Sequence, residues 1–254
     1  MLRTIAAIGV AIALIYAGLC IALFMFQRSL IYFPQPRFAG NDDTTATLRT
    51  RDASLVLTVR HRESDRALLY FGGNAEDVSA SLPDLSAAFP DHALYLLHYR
   101  GYGGSSGKPS EAALHEDALA LFDKVHAEHA SITVIGRSLG SGVAIRLASV
   151  RPVARLVLVS PYYSILELAA RQFPLMPVRW LLLDRYESWR YAPAVRAPTT
   201  LVIAEHDEII PAESALRLLR QFTGNTARQV VIPGVGHNTI GNSPVYLQAL
   251  RGAH

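Results

Sequence analysis

The sequence predicts a doubly wound α/β fold built on a mostly parallel sheet. Seven short segments rich in branched and aromatic residues alternate with helical patterns between residues 55 and 250, the rhythm of strand–helix–strand units. The central segments are apolar without alternation, as in Ala67-Leu-Leu-Tyr-Phe71 and Leu156-Val-Leu-Val159, which suits strands covered by helices on both faces. One of them, Ile132-Thr-Val-Ile135, turns through Gly136-Arg-Ser-Leu-Gly140 straight into the helical pattern Val143-Ala-Ile-Arg-Leu-Ala148.

Bulk properties set the frame. A chain of 254 residues holds one sizeable domain, or one domain and a tail. The apolar share of 50% is high for a soluble domain, and the excess sits at the N-terminus. A net charge of +3, scattered along the chain, argues against nucleic acid as a partner. The basic residues are nearly all arginine, Lys108 and Lys124 being the lysines, a composition that fits a GC-rich bacterial origin. The single cysteine, Cys20, lies in the apolar leader, so the globular part has no disulfide and no cysteine metal site.

In chain order, Ile5–Phe26 comes first: 22 residues without a charge, enough to span a bilayer, flanked by Arg3 and Arg28. A cleaved signal peptide is the rival reading. The run is longer than a usual signal core, no small-x-small site precedes a polar start, and Leu19 stands where a lipoprotein site at Cys20 needs a small residue. The expectation is an uncleaved transmembrane anchor over 1–28 and a single-pass protein of a bacterial inner membrane. Arg3 and the N-terminus balance Arg28 and Arg37, which leaves the orientation open. Tyr32 and Phe33 suit the membrane interface. Turn formers in 33–37 and 40–44 read as a linker over 29–47, ahead of the main domain over 48–254.

Strands are expected at Leu55–Arg60, Ala67–Phe71, Ala93–Tyr99, Ile132–Ile135, Leu156–Ser160, Thr200–Ala204 and Gln229–Ile232. Helices are expected at Asp77–Ala88, Glu111–His129, Ser138–Ser149, Ala212–Phe222 and Ser243–Leu250. The stretch 160–198 breaks the alternation. It mixes Tyr162, Tyr163, Phe173, Trp180, Tyr186 and Trp189 with five arginines and reads as short helices inserted between two strands. They form either a lid with an apolar lining or a connection whose aromatics pack on the sheet.

The chemistry centres on Ser138. Gly-x-Ser-x-Gly between strand and helix is a nucleophile elbow: a sharp turn that holds the serine in a sparsely allowed conformation, with Gly136 and Gly140 bringing no side chains to collide. A serine hydroxyl is a weak nucleophile and needs a base, which in turn needs an orienting acid. Behind Thr200–Ala204 come Glu205, Asp207 and Glu208; Asp207, in the loop ahead of the helix near Pro211, is the chosen acid and the two glutamates are the alternatives. Behind Gln229–Ile232, the glycine-rich loop Pro233-Gly-Val-Gly-His237 supplies the base. An oxyanion hole needs two backbone N–H groups. Leu139, next to the nucleophile, is one; Asn74, in Gly72-Gly-Asn-Ala75 after an early strand, is the other. His126 and His129 lie a turn apart with no third ligand evident, and there is no His-Glu-x-x-His, so neither metal nor cofactor is expected. Tyr99–Lys108 fails both the phosphate-loop and the dinucleotide patterns and reads as a structural loop near the site.

Taken together, Leu30-Ile-Tyr-Phe-Pro34, Gly72-Gly-Asn-Ala75, Tyr99-Arg-Gly-Tyr-Gly103 through Pro109-Ser-Glu111, Gly136-Arg-Ser-Leu-Gly140, Ser160-Pro161, Asp207 with Pro211, and Gly236-His237 resemble the α/β-hydrolase superfamily, and within it the membrane-anchored bud-emergence-type hydrolases grouped with serine aminopeptidase-like domains. The resemblance spans nearly the whole chain. It implies the α/β-hydrolase fold, a serine-hydrolase mechanism, and Ser138, Asp207 and His237 as a triad. Gly72 departs from the pattern, since many relatives carry there a histidine that supports the oxyanion loop. The expected function is a membrane-anchored serine hydrolase of carboxylic or thioesters, with a small-molecule or lipid-like acyl substrate. The rivals are a serine aminopeptidase-like peptidase and a non-catalytic membrane-tethered scaffold.

Overall fold

The structure, a computed structural model, describes residues 1–38 and 42–252. Helix α1 (Leu2–Ile31) has 30 residues, about 45 Å of rod at 1.5 Å per residue. None of its most apolar stretch is buried against the rest of the protein. The helix runs past the uncharged segment to Ile31 and stops where Tyr32 turns extended, two residues ahead of Pro34. The turn formers expected at 40–44 fall partly on residues 39–41, which lie outside the described residues.

Strand β1 (Thr45–Arg49) pairs antiparallel with β2 (Ser54–Arg60), Leu48 facing Leu55. The sequence gives no apolar run for it, since it is an edge strand with one buried residue, Leu48. Then follow β3 (Arg66–Phe71), α2 (Leu82–Ala88), β4 (Ala93–Leu97), α3 (Glu111–His126), β5 (Ser131–Arg137), α4 (Leu139–Ala148) and β6 (Arg155–Val159). The helix expected over Asp77–Ala88 is split. Asp77 caps a short 3-10 turn, Val78–Ser81, by accepting from the Ser79 N–H, and α2 starts afresh with Pro83 in its first turn, where the missing N–H is harmless. Between β6 and β7 (Thr199–Ala204) lie three short helices, α5 (Ile165–Gln172), α6 (Val178–Leu181) and α7 (Ser188–Tyr191). The chain ends through α8 (Ala212–Leu219), β8 (Ala227–Ile232) and α9 (Tyr246–Arg251).

The eight strands form one sheet in the order β1-β2-β4-β3-β5-β6-β7-β8. The pairs β1/β2 and β2/β4 are antiparallel and the rest parallel. This is the α/β-hydrolase fold. Successive residues of one strand enter opposite cores: Leu69 and Phe71 of β3 pack with α3 and α4, while Leu68 and Tyr70 pack with α2 and α9. That double coverage is why the central strands read as unbroken apolar runs. From β3 the chain crosses to β4 on one side and then to β5 on the other. The two loops leaving β3 and β5 therefore diverge at their C-terminal ends, and a crevice opens there.

Candidate active site

Ser138 stands at that crevice, between β5 and α4, with φ 49° and ψ −116°. Two glycines let the turn close. A Cβ on Gly136 would lie 2.3 Å from the Gly140 carbonyl oxygen, and one on Gly140 would lie 2.0 Å from the Phe71 carbonyl oxygen. The close approach carries the start of α4 onto the ends of β3 and β5, and Ser138 lines the cavity that opens there.

The Ser138 Oγ lies 3.0 Å from His237 Nε2, and His237 Nδ1 lies 3.0 and 2.9 Å from the two oxygens of Asp207. An ionised carboxylate only accepts, so the Nδ1–H points at Asp207 and Nε2 is left to accept from the serine hydroxyl. Burial works against the charge on Asp207, but the His237 hydrogen bond, the Ile210 N–H and the imidazole outweigh it and hold its carboxyl below the usual range. The three acids of this loop divide the work. Asp207 takes the imidazole, Glu208 accepts from the His237 backbone N–H at 3.1 Å, and Glu205 accepts from the Gly234 N–H at 2.8 Å. Asp207 also accepts from the N–H groups of Ile209 and Ile210, so it shapes its own turn as well.

Asn74 and Leu139 both line one cavity of about 800 Å³ that also includes Ser138 and His237. Among the described residues no acceptor is assigned to the backbone N–H of either. The Asn74 loop is braced from several sides. Its carbonyl accepts from the Tyr102 hydroxyl at 2.7 Å and from the Phe33 N–H at 3.0 Å, and the Gly72 carbonyl accepts from the Tyr99 hydroxyl at 2.8 Å. The glycine-rich loop 99–108 thus buttresses the site through two tyrosines. Gly72 itself has no room for a side chain: a Cβ there would meet Val78 Cγ1 at 2.5 Å.

Sequence reasoning missed a pair that ties the parts together. Glu76 accepts from the Gly73 N–H (2.8 Å), the Tyr70 hydroxyl (2.7 Å), the Ser81 hydroxyl (2.9 Å) and Arg137 Nη1 (2.9 Å). Arg137, the residue just before the serine, also donates to the His237 carbonyl at 3.4 Å. Burial raises the cost of the Glu76 charge, but Arg137 and the Gly73 N–H more than offset it and keep the carboxyl below its usual range. The available signal was a charged residue at the first variable place of Gly-x-Ser-x-Gly, where an apolar strand ends; nothing local pointed to its partner. Also missed was α1, whose Leu30 and Ile31 line the same cavity as Ser138 and His237. His129 is spent structurally, its two ring nitrogens bonded to the Tyr95 hydroxyl and the Ser64 carbonyl.

Comparison with known proteins agrees with this architecture. The family described as serine aminopeptidase, S33, matches residues 85–191. An uncharacterized protein of Mycobacterium tuberculosis is 36% identical, the match covering 89% of this chain and 86% of the relative. Protein bem46 of Schizosaccharomyces pombe is 30% identical over 80% of this chain and 76% of its own length. Among solved structures, an esterase of Pyrococcus furiosus superposes with a TM-score of 0.69 at 20% identity, covering 87% of this chain and 95% of the esterase. Est1E of Butyrivibrio proteoclasticus gives 0.70 at 14% identity, covering 82% and 96%.

Proposed function

This chain belongs to the bud-emergence-type branch of the α/β-hydrolase superfamily, an esterase/S33-type hydrolase, and we propose that it is a membrane-anchored serine hydrolase of carboxylic or thioesters. The observation that carries the reading is the unbroken hydrogen-bond chain Ser138–His237–Asp207 on the floor of a cavity, flanked by two backbone N–H groups without an assigned acceptor. Ser138 Oγ attacks the acyl carbonyl while its proton passes to His237 Nε2, and Asp207 stabilises the imidazolium. The N–H groups of Asn74 and Leu139 hold the oxyanion. Collapse breaks the acyl–oxygen or acyl–sulfur bond, and His237 returns the proton to the departing alcohol or thiol. Water then attacks the acyl-serine, gives a proton to His237, and the carboxylic acid leaves as the serine is restored. Helix α1, apolar and unburied, would hold this machinery at the bilayer.

The family description favours a second reading, cleavage of aminoacyl amides. That chemistry needs a carboxylate for the free amine. Glu76 is committed to Arg137 and Asp77 to Ser79, which leaves Asp84 on the cavity wall. Fluorophosphonate labelling in membranes tests the enzyme: wild type should label, and Ser138→Ala and His237→Ala should not. A folded wild type that fails to label overturns the proposal. Faster turnover of aminoacyl amides than of acyl esters, lost in Asp84→Asn, would transfer the site to the peptidase reading.

A further inference from the structure

We infer that α1 is more than an anchor: it forms one wall of a channel that takes a single long acyl chain from the bilayer and delivers its ester or thioester carbonyl to Ser138. The inference rests on the hydrolase reading above and names the substrate class of that site.

A second cavity, of about 350 Å³, adjoins the catalytic one. The two share five lining residues, Leu30, Ile31, Ile165, Leu168 and Ile209, so the outer space continues the inner one through an apolar waist. Beyond the waist, Leu23 and Phe24 of α1 face Ala169, Phe173, Met176 and Leu181 of the segment between β6 and β7. The outer lining contains no charged side chain. Of its two amides, Gln27 is consumed: it donates to the carbonyls of Phe24 (2.8 Å) and Leu181 (3.2 Å) and accepts from the Leu183 N–H (2.7 Å). A surface of methyl, methylene and aromatic groups, uncharged and with Gln27 tied up, suits an alkyl chain and would strand most polar groups of a peptide or a sugar. The volume, at the low end of ligand sites, suits one chain rather than two. The polar part of the catalytic cavity, with Asp84, Arg137 and Asn238, is left for the head of the substrate.

The outer cavity lies beside the helix that would sit in the membrane. The segment after α5 is pinned along α1 by three ties: the Tyr16 hydroxyl to the Leu175 carbonyl (2.9 Å), Gln27 to Leu181 and Leu183, and Arg28 to Asp184 (2.9 Å). From Tyr16 to Arg28 is about 18 Å of helix. Leu175 and Trp180 of the same segment are 80% and 87% exposed. A bilayer that surrounds α1 therefore also covers these side chains, and the outer cavity meets hydrocarbon rather than water. An acyl chain can then slide from lipid into protein without crossing the aqueous phase.

The test uses the full chain in phosphatidylcholine vesicles, with butyrate and palmitate thioesters as paired substrates. Ala169→Trp places bulk in the outer cavity, at a position outside the lining of the catalytic one. The wild type should favour palmitate. The variant should lose about tenfold or more of kcat/KM on palmitate, as several methylenes are expelled from their apolar site, with butyrate unchanged. Unchanged palmitate turnover, or an equal loss on both substrates in a variant that folds like wild type, overturns the channel. If the variant misfolds, a long-chain fluorophosphonate with a terminal diazirine decides on the wild type. Cross-links from labelled Ser138 to 23–27 or 169–176 support the channel, and cross-links confined to 80–84 overturn it. Failure of the hydrolase reading shows differently: no butyrate turnover that depends on Ser138.

Discussion

At the scale of single residues, the site depends on groups that have no second choice of partner. Asp207 is the only acceptor offered to the His237 Nδ1–H among the described residues. Asp207→Asn would present an amide to that N–H and favour the wrong tautomer; kcat should fall roughly a thousandfold or more with the fold intact, as read by ester turnover and circular dichroism. Arg137 is a positioning residue. Arg137→Met leaves Glu76 buried without its counter-charge and unties the Gly73–Asn74 loop from the His237 loop. Steady-state kinetics should show kcat down about tenfold to a hundredfold with a smaller change in KM, because in the proposed mechanism the loop serves the oxyanion more than the bound ester. An equal rise in KM alone would assign Arg137 to substrate binding instead.

At the scale of elements, the strand–turn–helix unit around Ser138 is the least forgiving part. Gly140→Ala sets a Cβ against the Phe71 carbonyl, and a Cβ has no rotamer by which to leave a backbone neighbour. Thermal unfolding should show a loss of several kcal/mol or no folded protein, in line with severe overpacking. A helix start farther from the site is milder. Ser110 caps α3 by accepting from the Ala113 N–H, and Ser110→Ala should cost about 1 kcal/mol without touching turnover. The contrast shows which boundaries the chain announces. Caps, glycines and apolar runs mark β2 to β8 and the helices α3, α4, α8 and α9 in the sequence, whereas β1 has one buried residue and the 3-10 turn before α2 is decided by Asp77 and Pro83 acting across a few residues.

At the scale of the whole molecule, two histidines record the cost of a dry interior. Burial drives the pKa of His98 and His115 from 6.5 to about 4, so both stay neutral in the folded protein under conditions where the unfolded chain would be protonated. The unfolded state then binds more protons between those values, and stability rises with pH across the window. Acidification from pH 6.5 towards 4 should lower the melting temperature of the detergent-solubilised protein, with about one proton taken up on unfolding per histidine. His115, packed edge-on against Tyr186 and Tyr191, can be replaced by phenylalanine with little change of shape, and His115→Phe should flatten that slope by about one proton. The same long-range packing joins α1 to the rest: Asp184 is buried and receives both Arg28 and the Tyr32 hydroxyl.

What is local or periodic is written in the order of the residues. The unbroken apolar strands specify a sheet covered on both faces, the glycines around Ser138 specify the sharp turn, and the order of Ser138, Asp207 and His237 behind β5, β7 and β8 specifies which side chains the sheet edge gathers. Tertiary structure alone decided how groups far apart in the chain are shared out. Three acids within four residues look alike until the His237 loop folds over them and gives Asp207 the ring, Glu208 one backbone N–H and Glu205 another. Glu76 finds Arg137 across 61 residues, and Gln27 finds Leu181 across 154. Such contacts leave no mark in composition or spacing, because hydrogen bonds and ion pairs depend on distances of a few ångströms that only the packed sheet and its helices set.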